Sequence, residues 1–385
     1  MNTYPLITWS EADTEKSARW RSETSTPPPK RVAIADDRMT ADEAYRLACE
    51  GTALLWRGDF QNARQLLQAM ARRTDAKPHK KKAKVVASPA QAFHLNRQAR
   101  SQRARILGML LLAIEPGHSI ALRRAPDVKE ACEQVYGACN EPYITSLREL
   151  QGLIGAFEWR KNGVLIAALD ARIHPHYGVF APIRNEYIGL LNEAPFPELA
   201  TIQSLAFDIG TGTGVLAAVL AHRGIKRIIA TDQDQRAHAC AKENLQHLGL
   251  AARVEVIQAD LFPVGRAALI VCNPPWLPAR PSSLLEYAVY DPDSSMLRGF
   301  LSGLAAHLEE GGEGWLILSD IAEHLALRSR AELLDWIDAA GLQALGKLDV
   351  KPSHPRVSDQ SDPLHSARAA EITSLWRLAA KLGGE

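Results

Sequence analysis

LAFDIGTGTGVLAAVLAH, running from Leu205 to His222, is the stretch whose reading decides the fold of the C-terminal half of this chain. LAFDI is an apolar run carrying one acid and reads as a buried strand, and VLAAVLAH opens a helix. Gly210-Thr211-Gly212-Thr213-Gly214 turns the chain between them. Glycines admit positive φ and remove Cβ atoms, so a ligand can approach the backbone, and a new helix presents unpaired amides. A strand, a tight turn and a helix in that order form one wall of a pocket. The glycines alternate as Gly-x-Gly-x-Gly, whereas a turn that seats a pyrophosphate follows Gly-x-Gly-x-x-Gly. Asp208, just before them, repels phosphate and suits an ammonium group. This spacing makes a nicotinamide-dependent oxidoreductase the least favoured enzyme class.

Outward from the turn, apolar runs alternate with helical periods: Arg227 to Ala230, Arg253 to Gln258, Ala268 to Cys272 and Gly314 to Leu318. That alternation predicts an open α/β sheet with helices on both faces. Leu342 to Val350 and Glu371 to Leu378 lack a full helix between them and predict a closing antiparallel hairpin. Asp232 ends the run after the glycine turn, where an acid can accept from two ribose hydroxyls. Asp260, with Leu261 beside it, ends the next run, where it can accept from the amine of an adenine. Asp234 reads as a helix cap.

The fourth run ends in Asn273-Pro274-Pro275-Trp276. Two prolines supply no amide donor and hold the chain rigid with its carbonyls outward. A planar NH2 group can donate one hydrogen to the Asn273 side-chain oxygen and the other to the Pro274 carbonyl, with Trp276 stacked on it. An amide or aniline-like nitrogen delocalises its lone pair, so holding and polarising it serves attack on an electrophilic methyl group better than a strong base does.

These motifs resemble the class I, Rossmann-like methyltransferases over residues from about 174 to 380, and within them the group with an Asn-Pro-Pro-aromatic signature. That group includes HemK-like protein glutamine methyltransferases, ribosomal RNA guanine methyltransferases and adenine methyltransferases. The resemblance implies a seven-stranded sheet whose last strand is antiparallel, and S-adenosyl-L-methionine as cofactor. It implies that Asp208, Gly210, Gly212 and Gly214 hold the methionine end, Asp232 the ribose, Asp260 the adenine edge, and Asn273 to Trp276 the acceptor. Phe180 and Arg184 lie in a stretch where the family covers the cofactor, which makes them candidate cofactor contacts. Trp276 departs from the commoner tyrosine or phenylalanine.

The 385 residues suit two units plus a tail. Residues 1–38 mix Ser, Thr, Pro and charge and are expected to form a disordered tail. Residues 39–160 are expected to form a mainly helical, basic, substrate-recognising domain, and 161–385 the methyltransferase domain. Within the former, Thr40 to Glu43 has capping-box spacing. Leu47, Leu54 and Leu55 read as a helical stripe, and Phe60 to Met70 as a second helix, making a hairpin. Residues 74–87 read as a mobile linker, and Ser88-Pro89 as the start of a helix running to Ile114. Gly163 to His174 reads as one strand. Trp56, Trp159, Trp315 and Trp336 are expected in the core.

The net charge is only +1, yet Arg64 to Arg105 holds twelve Lys or Arg against Asp75 alone. Such a patch attracts phosphate by counterion release, or is no more than a solvated face. Five cysteines without a Cys-x-x-Cys pair fit inert thiols in a reducing compartment. His174 and His176 lack the neighbours of a metal site, so no metal is expected, and Cys272 lacks a base. The N-terminus has no signal-like segment and no apolar run is long enough to span a bilayer, so a cytoplasmic protein with no membrane partner is expected. Three functions fit: an N-methyltransferase acting on an exocyclic base amine of RNA, with the patch gripping nucleic acid; a protein glutamine N-methyltransferase; and an inactive cofactor-binding scaffold.

Overall fold

The computed structural model describes residues 4–76, 88–281, 286–353 and 357–381. The chain divides into two compact units, one of residues 1–85 and 94–158, the other of residues 86–93 and 159–385.

The first unit is built on a six-stranded sheet. Its strands are β1 (Leu6–Glu11), β2 (Thr14–Trp20), β3 (Arg31–Ala35), β4 (Thr52–Trp56), β5 (Leu110–Ile114) and β6 (Tyr143–Ser146), in the order β1-β2-β6-β5-β4-β3. Three strands therefore stand where a disordered tail is expected, and a mixed sheet stands where a mainly helical domain is expected. The reason is visible in the turn: Ala12 and Asp13 join β1 to β2 with φ of 51° and 59°. A two-residue hairpin of this hand is ordinarily announced by Asn-Gly or Asp-Gly, and this one has neither. Ile7 and Trp20 are anchored with Leu55, Leu111 and Ile144 in one apolar cluster.

Thr40 does cap a helix, its hydroxyl accepting from the Glu43 amide, but that helix stops at Cys49. Leu54 and Leu55 lie on β4, which pairs in parallel with both β3 and β5. A strand buried on both faces carries an unbroken apolar run that periodicity does not separate from a helix. The same ambiguity explains Ile106 to Ile114: the helix Pro89–Leu107 ends there, and Leu110 onward is β5. Phe60–Asp75 is a helix with Asp59 as its cap. Residues 77–87, most of the expected linker and the lysine-rich part of the basic patch, lie outside the described residues.

In the second unit Gly163 to His174 forms not one strand but a hairpin, β7 (Val164–Ile166) and β8 (Ala171–Ile173), reversed through a 3-10 turn and left-handed Asp170. Seven strands follow: β9 (Leu205–Ile209), β10 (Arg227–Asp232), β11 (Val254–Gln258), β12 (Ala267–Cys272), β13 (Leu308–Ser319), β14 (Leu342–Val350) and β15 (Thr373–Ala380). Their order is β11-β10-β9-β12-β13-β15-β14. β15 runs antiparallel to both β13 and β14, while the first five strands are mutually parallel. The sheet and its closing hairpin agree with the sequence reading.

Alternation along β12 shows how the sheet is buried. Leu269 and Val271 face a cluster built with the helix Val215–His222, and Ile270 and Cys272 face a cluster built with the helix Ser295–His307. From Val215 to Ala221 the first helix is buried all round, as its uniformly apolar sequence requires. Trp56 and Trp315 are in cores and Trp336 is partly buried, but Trp159 is 48% exposed. The buried residues of its helix, Leu147–Asn162, are Leu147, Leu150 and Leu153, more than a turn before it.

Candidate active site

Parallel strands place their C-terminal ends along one edge, and the glycine turn, Asp232 and Asn273 stand on that edge. Ile209 pairs with Thr231 on one side and with Cys272 on the other. Gly210, Asp232 and Asn273 are therefore side by side, each the first residue at or beyond its strand end. The glycine turn takes φ of +70° at Gly210, +56° at Gly212 and +81° at Gly214, a region where any side chain is strained. A Cβ at Gly210 would approach Met296 Cε to 2.5 Å, whereas one at Gly212 would meet nothing within 4 Å and stands over open space.

Asp208 is fully buried. Its Oδ2 accepts from the Thr211 hydroxyl at 2.6 Å and the Ala217 amide at 3.1 Å. Its Oδ1 is buried with no hydrogen-bond partner, an acceptor whose burial has a cost until a donor reaches it. That burial raises the carboxyl to about 6, against the pull of the two donors. Asp232 accepts from the Gly212 amide at 3.0 Å and from the Asp234 amide at 2.9 Å, and burial raises its carboxyl too. Asp234 in turn caps the helix Gln235–His247. Asp260 lies beyond β11 and is exposed. Leu261 has φ of 65°, and its carbonyl accepts from the Thr231 hydroxyl at 2.5 Å. The Thr231 carbonyl accepts from the Thr211 amide at 2.8 Å, so one threonine ties the glycine turn to the Leu261 bend. Nothing in the sequence marks Thr231 for that task beyond its place before Asp232.

Asn273, Pro274, Pro275 and Trp276 leave β12 as an irregular corner, with Pro274 buried and the others half-buried. The Trp276 indole N–H donates to Asn273 Oδ1 at 3.0 Å, engaging the very oxygen expected to receive a substrate hydrogen. Cys272, on the strand below, is buried, and burial pushes its thiol well above the usual range. It has no nucleophile's surroundings.

The segment before the helix Glu186–Glu193 holds Phe180 and Arg184. Arg184 reaches the corner: its guanidinium carbon lies 5.5 Å from the centre of the Trp276 ring. It pairs with Glu371 at 3.0 Å and Glu186 at 3.3 Å. Glu371 stands 187 residues away in sequence, and no local signal could have joined the two. Phe180 is 40% exposed. His176 pairs with Glu243 at 2.8 Å, and Arg160 takes the same carboxylate at 2.7 Å. Among the described residues no group of three His, Cys, Asp or Glu is arranged to hold a metal, and no helix is long and apolar enough to cross a membrane.

The donor set can be tested against an amino-acid-bearing nucleoside. An unmet buried carboxylate oxygen, a turn with room where Gly212 lacks a side chain, and a second acid at the neighbouring strand end together fit an ammonium group and a pair of hydroxyls.

Residues 190–329 match the model of the methyltransferase small domain family, a span that holds β9 to β13 of the seven-stranded sheet. The chain is 34% identical over 199 residues to a release factor glutamine methyltransferase of Cereibacter sphaeroides, covering 48% of this chain and 65% of that protein. It is 42% identical over 69 residues to a ribosomal protein L11 methyltransferase of Pelotomaculum thermopropionicum, covering 17% and 22% of the two chains. Over 78 residues it is 42% identical to a tRNA1(Val) (adenine(37)-N6)-methyltransferase of Pasteurella multocida, covering 18% and 33%. The chain thus spans less than two thirds of the length of each of these relatives.

Proposed function

We propose that this protein is an S-adenosylmethionine-dependent N-methyltransferase acting on a planar amino group, with an exocyclic base amine of RNA as acceptor. The observation that carries the reading is the register of β9 and β12: Cys272 opposite Ile209 puts the Asn273 corner beside the glycine turn. When bound, S-adenosylmethionine supplies an electrophilic sulfonium methyl group. Asp208 and the backbone of Gly210 to Gly214 hold its methionine end, Asp232 its ribose, and Asp260 with Leu261 its adenine edge. The Asn273 side-chain oxygen and the Pro274 carbonyl accept the two hydrogens of the acceptor nitrogen and aim its lone pair at the cleft, with Trp276 against the flat group. Orientation and polarisation carry the reaction, and the extra proton, acidic after transfer, leaves to water.

RNA is favoured as acceptor by the excess of cations between Arg64 and Arg105. Arg100 and Arg105 are exposed on the helix Pro89–Leu107, while Arg103 pairs with Asp75 and Arg73 with Asp42. On this reading the first unit recognises the nucleic acid. A second reading, protein glutamine methylation, is favoured by the alignment with the Cereibacter sphaeroides protein, which covers more of this chain than the other two do. A primary amide presents the same two hydrogens to the corner.

The test is to incubate the full chain with methyl-labelled S-adenosylmethionine and an extract of cells lacking it, then separate RNA, DNA and polypeptide. Label in RNA is expected. Label in polypeptide alone selects the glutamine reading. No transfer to any fraction, despite cofactor binding, would leave the protein a scaffold.

A further inference from the structure

The acceptor corner is braced from a part of the chain that the methyltransferase reading does not use. Glu371, just before β15, is 2% exposed. Its Oε1 accepts from the Ser319 hydroxyl at 2.8 Å and from Arg184 Nη2 at 3.0 Å. Ser319 is itself fixed, because its hydroxyl also accepts from the Ile321 amide at 3.1 Å. The same strand ends are tied a second time, where Asp320 accepts from the Ile372 amide at 2.7 Å. The carboxylate is thus a fixed point at the ends of β13 and β15, and Arg184 spans from it to the face of Trp276. A guanidinium held by carboxylates and set against an indole face keeps that ring in one orientation. In that orientation the indole N–H donates to Asn273 Oδ1. The remaining Glu371 oxygen, Oε2, is buried without a partner, so the carboxylate has an acceptor to spare when its neighbours move.

We propose that Glu371 and Arg184 are positioning residues that lock Trp276 over Asn273 in the resting protein, and that an acceptor nitrogen enters by displacing the indole from Asn273 Oδ1. The inference rests on the N-methyltransferase reading for the meaning of Asn273, but the lock itself is a property of the free protein. It moves Arg184 from the cofactor side of the cleft to the acceptor side. Removing the guanidinium frees the ring, so the indole bond weakens while cofactor affinity stays. Lysine at 184 keeps the charge and the reach to Glu371 and restores the lock in part. Glutamine at 371 keeps the volume and loosens the hold on Arg184.

The experiment reads the Trp276 indole N–H by NMR in the full chain, with its resonance identified by its disappearance in Trp276→Phe. Arg184→Ala is expected to shift that resonance and speed its exchange with solvent at least tenfold, Glu371→Gln to do so less, and Arg184→Lys to return it toward wild type. Calorimetry with S-adenosylhomocysteine on the same samples is expected to give dissociation constants within twofold of wild type. An unmoved indole in both Arg184→Ala and Glu371→Gln would overturn the proposal. So would a tenfold loss of S-adenosylhomocysteine affinity in Arg184→Lys, which would return Arg184 to the cofactor. If Arg184→Ala fails to fold, Glu371→Gln and Arg184→Lys still decide. Failure of the wild type to bind S-adenosylhomocysteine would instead refute the methyltransferase reading and leave the indole measurement standing.

Discussion

Asp208 has the most exacting surroundings in the candidate site: full burial, two donors on one oxygen and none on the other. With its carboxyl raised to about 6 in the free protein, it binds its proton more tightly folded than unfolded. Stability of the free protein from this group therefore falls as pH rises from about 4 through about 6. A bound ammonium group reverses that preference by favouring the ionised form. Affinity for S-adenosylhomocysteine is therefore expected to weaken as pH falls from about 7.5 to about 5, through the about 6 at which the free carboxyl takes up its proton. Calorimetry across that range checks it, and a flat profile would remove Asp208 from the ammonium. At this scale the sequence shows which residues stand together where a strand end fixes the address, as for Asp208, Asp232 and Asn273. It does not show the partner of Arg184, because Glu371 stands at the far end of the chain.

Among the elements, the glycine turn is the piece whose backbone matters most. Gly212 has φ of +56° and open space where a Cβ would stand. Gly212→Ala is therefore expected to cost about 1 kcal/mol of stability through the left-handed backbone alone. Its loss of cofactor affinity should be larger, more than tenfold, because that space is where the ligand's backbone contacts would be made. Melting temperature and calorimetry on one sample separate the two effects; equal losses in both would make the turn structural. Elements with two-sided sequence signals were legible, as with β9, β10, β12 and the helix Val215–His222. The β1–β2 hairpin was not, because Ala12 and Asp13 adopt a glycine-type turn without glycine. Nor were β4 and β5, since strands covered on both faces carry no alternation to read.

For the molecule as a whole, the near-neutral total conceals a local excess of cations between Arg64 and Arg105. If the helix Pro89–Leu107 grips phosphates, Arg100→Ala with Arg105→Ala lowers RNA affinity and makes it less salt-dependent. The slope of log K against log salt should become shallower by about 1 to 2. Filter binding at several salt concentrations measures it, and an unchanged slope would leave those arginines as solvated surface. The account as a whole rests on the glycine turn and the Asn273 corner serving one cleft. Single-turnover methyl transfer with Asn273→Ala, from bound S-adenosylmethionine to the acceptor fraction identified by labelling, tests that most directly. The account predicts transfer slowed about a hundredfold or more with cofactor affinity unchanged; transfer at the wild-type rate would contradict it.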